Sequence, residues 1–393
     1  MTHLRRTLLA TAFLTPFASF PAAAAATPCV SSTPYVSGEG GYASYRIPAV
    51  VGTRQGTLLA FAEGRRDGPG DTGDIDIVVR RSVDGGCTWG PLIVVAAGDG
   101  GTRGNPAPVI DPRTGAVVLV SCANDGDATE ARIMRGEAPA RRVYVQHSRD
   151  DGRCFTSPRE ITADVALPSW RWYATGPGHA LALTRGPYAG RLVVAANHSA
   201  APPVGSPDTG REYRYYGGHA LCSDDGGRSW RLGFVDADHD GTANVNESSV
   251  AQLPDGRLYF SARDQGGSAP GNRLDALSED GGTTLSRPYA PQPTLARVPV
   301  VQGSVLQLHG SGGPLLFSGP SDPAARRAMT VWRSTDGGAD FTPAVTPSPS
   351  PAAYSDLVQV DADTVGLLYE TGTAGPYETI EFRRLAVGEL GGA

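Results

Sequence analysis

Arginines, acids and one tyrosine stand at the ends of short apolar runs along this chain of 393 residues. Arg46 lies in Tyr45-Arg46-Ile47-Pro48, and Arg65 and Asp71 follow in a glycine-rich stretch that also holds Asp67, Asp74 and Asp76. Asn105 sits in Gly-Asn-Pro-Ala-Pro. Farther on come Asn246-Glu247, Arg263, Arg326, the run Tyr354-Ser355-Asp356-Leu357 and the run Leu368-Tyr369-Glu370. Guanidinium groups are planar forks that match a carboxylate two bonds at a time, which the lysine ammonium cannot do. A carboxyl group can give or take a proton, and a phenol becomes a usable nucleophile when a base stands beside it. Such a set could hold an anionic group and do acid–base or nucleophilic chemistry next to it. Taken singly, each arginine reads as a solvated surface charge, and a tyrosine in β structure reads as packing. Only the motif around each residue lifts it above that.

What must position these residues is a repeat. A turn of the form Ser-x-Asp-x-Gly-x-x-aromatic begins at Ser82, Ser148, Ser223, Ser278 and Ser334, so the copies start 55–75 residues apart. Asp bonds nearby backbone N–H groups, Gly supplies positive φ, and the aromatic pins the turn to a core. The fourth copy carries Leu285 in place of the aromatic. Between the turns run short β segments such as Thr57–Ala62, Ile75–Arg80, Arg257–Ala262 and Thr364–Tyr369. Units of this length with a turn at fixed phase predict four-stranded blades around an axis. Five such turns, plus one blade without a turn, predict an all-β, six-bladed β-propeller forming a single domain over 27–393. Only 127–140 reads as helical, within a loop insertion; 201–210 and the Pro-rich 346–351 read as loops, and 387–393 as a frayed, Gly-rich end with no room for an appended carbohydrate-binding domain.

The first 26 residues carry Arg5-Arg6, an apolar stretch and an Ala-rich site, the pattern of a secretory signal. The apolar stretch is short for a bilayer span. The expectation is a secreted protein with no membrane span. A net charge of −6 argues against nucleic acid as a partner. All 34 basic residues are arginine, which coding bias explains. Five cysteines (Cys29, Cys87, Cys122, Cys154, Cys222) show no CxxC pair and no cluster with histidine, so a metal–thiolate site is not expected. Asp236-x-Asp238-x-Asp240-Gly241-x5-Glu247 satisfies the EF-hand pattern. It lacks the flanking helices a calcium loop needs and reads as coincidence.

The Tyr45-Arg46-Ile47-Pro48 segment, the five turns and Tyr354-Ser355-Asp356-Leu357, in that order, resemble the exo-α-sialidases of the bacterial, retaining type. The match extends from Tyr45 through Glu370. The resemblance implies that Arg46, Arg263 and Arg326 grip the carboxylate of sialic acid, and that Glu370 orients Arg46. It implies Tyr354 as nucleophile, Glu247 as the base on its hydroxyl, and Asp71 as acid/base, with Asp67 as its rival. Arg65 and Asn105 would line the 4-hydroxyl and N-acetyl side of the sugar, and Trp170, Trp172 and Tyr173 an apolar wall or plain packing. The Ala328-Met329 that follows Arg326-Arg327 departs from the family's Asn-Leu. The implied partners are sialylated glycans, met by a monomer that needs neither cofactor nor metal. Transfer to another sugar, hydrolysis of a nonulosonic acid lacking the N-acetyl group, and a sialic-acid-binding propeller without turnover are the alternatives.

Overall fold

The computed structural model describes residues 29–391 apart from 237 and 311, so the predicted leader lies outside the described residues. Among the described residues are 24 strands, while the two α-helices, Glu130–Met134 and Thr162–Val165, are single turns. The all-β expectation holds. The strands form four hydrogen-bonded sheets of eight, five, four and seven strands, joined mostly as antiparallel meanders. Many strands are buried on both faces, as in Ser44–Gly52 and Leu58–Arg65, because each sheet is covered on both sides by its neighbours.

Strands Ser44–Gly52, Thr102–Ile110, Trp170–Thr175, Val245–Gln252, Ser304–Gln307 and Thr342–Gln359 touch one another in sequence, and the last touches the first. They therefore make a closed ring. Apolar clusters fill the wedges outside it; one packs Val109, Val120 and Val145 against Val194, Leu221 and Trp230. Each of the five Ser-x-Asp-x-Gly turns makes the same two bonds. The Ser hydroxyl donates to the Asp, and the N–H of the Gly four residues after the Ser donates to the Ser oxygen, as at Ser223, Asp225 and Gly227. The terminal side chain of each turn, including Leu285, packs into a wedge.

The first described strand, Ser31–Val36, pairs antiparallel with Thr379–Ala386, so a strand from before the ring completes the sheet that ends it. A Cys29–Cys87 disulfide ties that strand to the first sheet, whereas Cys122 and Cys222 are free and buried and Cys154 is free and exposed.

Three expectations need correction. Residues 346–351 are strand, not loop: they lie in Thr342–Gln359, whose first half pairs with Arg327–Ser334 through a bulged register. Proline's fixed φ suits extended backbone, and bulged pairing tolerates its missing donor. The Gly-rich end is not frayed up to residue 391, because Val387–Leu390 forms a 3₁₀ turn that buries Val387 and Leu390. The helix predicted over 127–140 is only Glu130–Met134, capped by Thr129.

His198 and His219 are fully buried and face each other through Nδ1 at 3.1 Å, with Trp170 stacked on His198 at 3.8 Å. Burial pushes both pKa values down, that of His198 to about 3. The unfolded chain, with histidine near 6.5, therefore takes up these protons first. The pair's contribution is complete above about pH 6.5 and is lost as pH falls below it, by about 1.4 kcal/mol per pH unit for each histidine. Urea midpoints should drop steeply between pH 7 and 5.5, and His198→Phe should flatten that slope by roughly half.

Candidate active site

Four of the predicted residues, Arg46, Asn105, Glu247 and Tyr354, stand on ring strands at one mouth, each where its strand is bulged. Register breaks fall at Arg46/Ala49, Gly104/Ala107, Trp170/Tyr173, Val245/Ser248 and Ala352/Ser355. These breaks carry or adjoin Arg46, Asn105, Trp172, Glu247 and Tyr354. A bulge releases one residue from the ladder and re-aims its side chain, which a regular strand would hold to one face or the other. Ile47 and Asn105 accept positive φ (59° and 55°) in making them, and Pro48 and Pro106 follow. Positive φ at a β-branched isoleucine is strained, and the Ile47 N–H is held there by Glu370 at 2.8 Å.

Glu370, fully buried at the end of Thr364–Thr371, is the keystone. It accepts Arg46 Nε at 3.2 Å and Nη2 at 3.4 Å, and it also accepts the backbone N–H of Tyr354 at 3.1 Å. One carboxylate thus aligns both residues. Arg46 Nη1 reaches Asp71 at 3.3 Å, and Arg65 Nη1 reaches the same oxygen at 2.8 Å. Arg65 is itself held by Glu63 at 3.0 and 2.6 Å. Arg263 donates to Glu247 at 3.0 Å, and Arg326 to the Tyr377 hydroxyl at 2.9 Å and the Val300 carbonyl at 3.1 Å. Arg326, not Arg327, faces the cleft; Arg327 is exposed.

The Tyr354 hydroxyl donates to Glu247 Oε1 at 2.5 Å. The ring lies within 5.0 Å of the Arg46 guanidinium carbon and 5.7 Å of that of Arg326. Burial and then the Glu247 carboxylate raise the Tyr354 pKa far above that of a free phenol, and the three arginines only partly offset this. The phenol is therefore neutral at rest, with the Glu247 carboxylate as the acceptor of its hydroxyl proton. Partial burial pushes Asp71 up, but Arg65 and Arg46, with Arg326 farther off, outweigh it and hold the carboxyl below its ordinary value. The side chain of Asp71 is 74% exposed, so an incoming group can reach it.

The nine predicted site residues therefore converge: all but Glu370 line one cleft of about 200 Å³, and Glu370 lies behind Arg46. Asp67 is exposed and off the cleft, while Asp74 and Asp76 pair with Arg66. Trp172 lines the wall with the Arg141 guanidinium 4.2 Å over its ring, but Trp170 and Tyr173 are core. Asn105 is held by Glu63 at its N–H (2.8 Å) and by Arg141 at its side-chain oxygen (2.9 Å). Sequence reasoning missed Glu63, Glu130, Arg141, Tyr213 and Tyr216, which also line the cleft. Strand alternation from Arg65 could have found Glu63. Glu130 enters from its helical turn and is bonded by the Tyr216 hydroxyl; burial pushes its carboxyl up. Glu247, the last position of the EF-hand pattern, binds Tyr354 and Arg263, while Asp240 is bonded by the Thr242 N–H. Among the described residues no group of three His, Cys, Asp or Glu side chains is arranged to hold a metal, and no helix is long and apolar enough to cross a membrane. A larger cavity of about 870 Å³ lies at the other ends of the ring strands and contains none of the predicted site residues.

Residues 56–368 match the family described as BNR repeat-like domain. The chain is 32% identical over 358 residues to the sialidase of Micromonospora viridifaciens, covering 87% of this chain and 52% of that one, so it spans about half that relative's length. It is 32% identical over 322 residues to the exo-alpha-sialidase of Aspergillus fumigatus, covering 76% of this chain and 70% of the relative. Among solved structures, the Hadza microbial sialidase Hz136 superposes with a TM-score of 0.78 at 26% identity, over 92% of this chain and 69% of that one. The intramolecular trans-sialidase from Ruminococcus gnavus gives 0.74 at 18% identity, over 91% and 98%. At that identity the second likeness is one of fold alone.

Proposed function

Since this chain belongs to the sialidase family, we propose that it is an exo-α-sialidase that releases terminal α-linked sialic acid from glycans with retention of configuration. The observation that carries this reading is the buried Tyr354–Glu247 hydrogen bond at the floor of an arginine-walled cleft. The six-membered ring of strands is read as six propeller blades, two of the sheets counting as two blades each. The 27–393 domain is read as an exported monomer, and the Cys29–Cys87 bond suits the oxidising compartment that the leader implies.

The substrate carboxylate enters the fork of Arg46, Arg263 and Arg326, which places the anomeric carbon over Tyr354. It also takes up part of the Arg46 charge that held Asp71 ionised, so the Asp71 pKa rises toward protonation on binding. Asp71 then gives its proton to the leaving oxygen. The Tyr354 oxygen attacks the anomeric carbon as its proton passes to Glu247. Asp71, now a carboxylate, takes a proton from water, and the water oxygen displaces Tyr354, which recovers its proton from Glu247. Two displacements on one carbon give net retention. A carboxylate nucleophile would be repelled by the substrate's own carboxylate, whereas a neutral phenol is not.

Purified protein should release the fluorophore from an aryl α-sialoside, with EDTA present. Asp71→Asn should slow natural sialosides, whose leaving groups need a proton, by roughly 10²–10⁴-fold while sparing the activated aryl substrate. Equal losses on both substrates would remove Asp71 as the acid. No turnover at all, with saturable sialoside binding, would make the protein a lectin-like propeller instead.

One observation favours a second reading. The wall where the N-acetyl group would lie is a nearly buried guanidinium, Arg141, over Trp172 rather than a purely apolar surface. That wall suits a nonulosonic acid with a hydroxyl in place of the acetamido group. Comparing kcat/KM on the two aryl glycosides decides between them.

A further inference from the structure

The bulges that aim the site residues also break the sheet bonds that would hold them, and something must replace those bonds. We propose that the segment Thr175–His179, with its partners Gln302 and Asp356, is the positioning device of the catalytic pair. This assignment rests on the reading of Tyr354 as nucleophile and Glu247 as its base.

The segment leaves the ring strand Trp170–Thr175 and runs to Leu181–Ala182, making one bond after another to the bulged strands. The Thr175 hydroxyl donates to the carbonyl of Asn105 at 2.6 Å. The Gly176 carbonyl accepts the N–H of Ser248, the residue after Glu247, at 2.9 Å. The Pro177 carbonyl accepts Gln302 Nε2 at 3.1 Å. That same amide grips Ser355, the residue after Tyr354, on both sides. It accepts the Ser355 N–H at 3.1 Å and donates to the Ser355 carbonyl at 3.0 Å. His179 then binds Asp356 twice, through its N–H at 2.9 Å and Nδ1 at 2.7 Å.

Asp356 is fully buried and also accepts the Val50 N–H at 2.8 Å and the Ser304 hydroxyl at 2.7 Å. Val50 lies on the Arg46 strand, so this carboxylate ties the nucleophile's strand to that of the carboxylate-binding arginine. A Cβ at Gly178 (φ 106°) would stand 3.1 Å from Asp356 Oδ1, so the segment passes as close to that carboxylate as backbone can. None of Gly176, Pro177, His179, Gln302 or Asp356 lines the reaction cleft. They act through the backbone flanking Glu247 and Tyr354. Gln302 is 1% exposed, and its carboxamide reaches three main-chain groups and no side chain.

The test separates attack by Tyr354 from binding of the sugar. Full-length wild type, His179→Ala, His179→Asn and Gln302→Leu are compared in three measurements. These are the rate at which 2,3-difluorosialic acid becomes bonded to Tyr354 as fluoride leaves the anomeric carbon, the Kd for its unreactive 2,3-didehydro analogue, and Tm. The expected result is a labelling rate lowered roughly 10- to 100-fold in His179→Ala and Gln302→Leu, since ångström-scale misplacement costs about that much. The analogue's Kd should stay within about twofold, because the arginine fork is intact. His179→Asn, whose amide can donate near the Nδ1 position, should regain most of the labelling rate.

A labelling rate equal to wild type in the folded alanine and leucine variants would overturn the proposal, as would rate and affinity falling together. A shift in Tm alone would mark the segment as scaffold. If His179→Ala does not fold, the Gln302→Leu and His179→Asn pair decides the matter in the same way. Wild type that binds the analogue but is not labelled on Tyr354 overturns the nucleophile reading itself, a result visible before any variant is made.

Discussion

Tyr354→Phe lowers turnover of an aryl α-sialoside by on the order of 10⁴-fold or more, the scale seen when a nucleophile is removed from a unit it forms with its base. The fold should survive the change. The phenyl ring keeps its place between the guanidiniums of Arg46 and Arg326, and Glu247 keeps its bond to Arg263 at 3.0 Å. What goes is the oxygen that bonds Glu247 and that the proposed reaction brings to the anomeric carbon. Affinity for an unreactive sialic acid analogue should stay near that of wild type, since the phenol makes no ion pair with the carboxylate. Any residual product should have lost stereochemical retention, which the anomer ratio in an NMR time course reads directly. Rates like those of wild type would remove Tyr354 as the nucleophile.

Arg46→Met should lower kcat/KM by about 2–5 kcal/mol, roughly 30-fold to several thousand-fold, because it removes a desolvated charge from the carboxylate fork. It should also destabilise the protein by about 3–5 kcal/mol, for a reason separate from catalysis. Glu370 is fully buried, and without Arg46 the partners left to it are two backbone N–H groups, those of Ile47 and Tyr354. Adding Glu370→Gln to Arg46→Met removes the stranded charge, so melting temperature should recover while kcat/KM does not. Recovery of both, or of neither, would contradict the division of labour drawn for this pair.

Much of this was legible in the residues. The Ser-x-Asp-x-Gly turns showed their phase because their bonds are local: Ser223, Asp225 and Gly227 satisfy one another within a few residues. Arg46, Tyr354 and Glu370 were recognisable because motifs of a few residues surround them. The Pro-rich 346–351 misled because proline forbids only a donor, and a bulged pairing does without it. Glu130, Arg141 and Gln302 carry no motif. They matter through partners far along the chain, and one sequence does not show which strands become neighbours. The bulges were equally hidden, since a register break depends on two strands at once.

The ring has a seam, and the catalytic set straddles it. Arg46 belongs to the first ring strand, while Tyr354 and Glu370 belong to the last strands, 324 residues away in the case of the Arg46–Glu370 bond. The seam is sealed by Ser31–Val36 lying against Thr379–Ala386. A chain still being made therefore holds the Arg46 guanidinium without Glu370 and a cleft without Tyr354, whatever its earlier sheets have achieved. Contacts between such distant residues form late, because closing so large a loop must precede any gain from them. If the chain is the proposed sialidase, its activity should appear only once the first and last strands of the ring have met, and the appearance of activity in a refolding reaction should time that meeting.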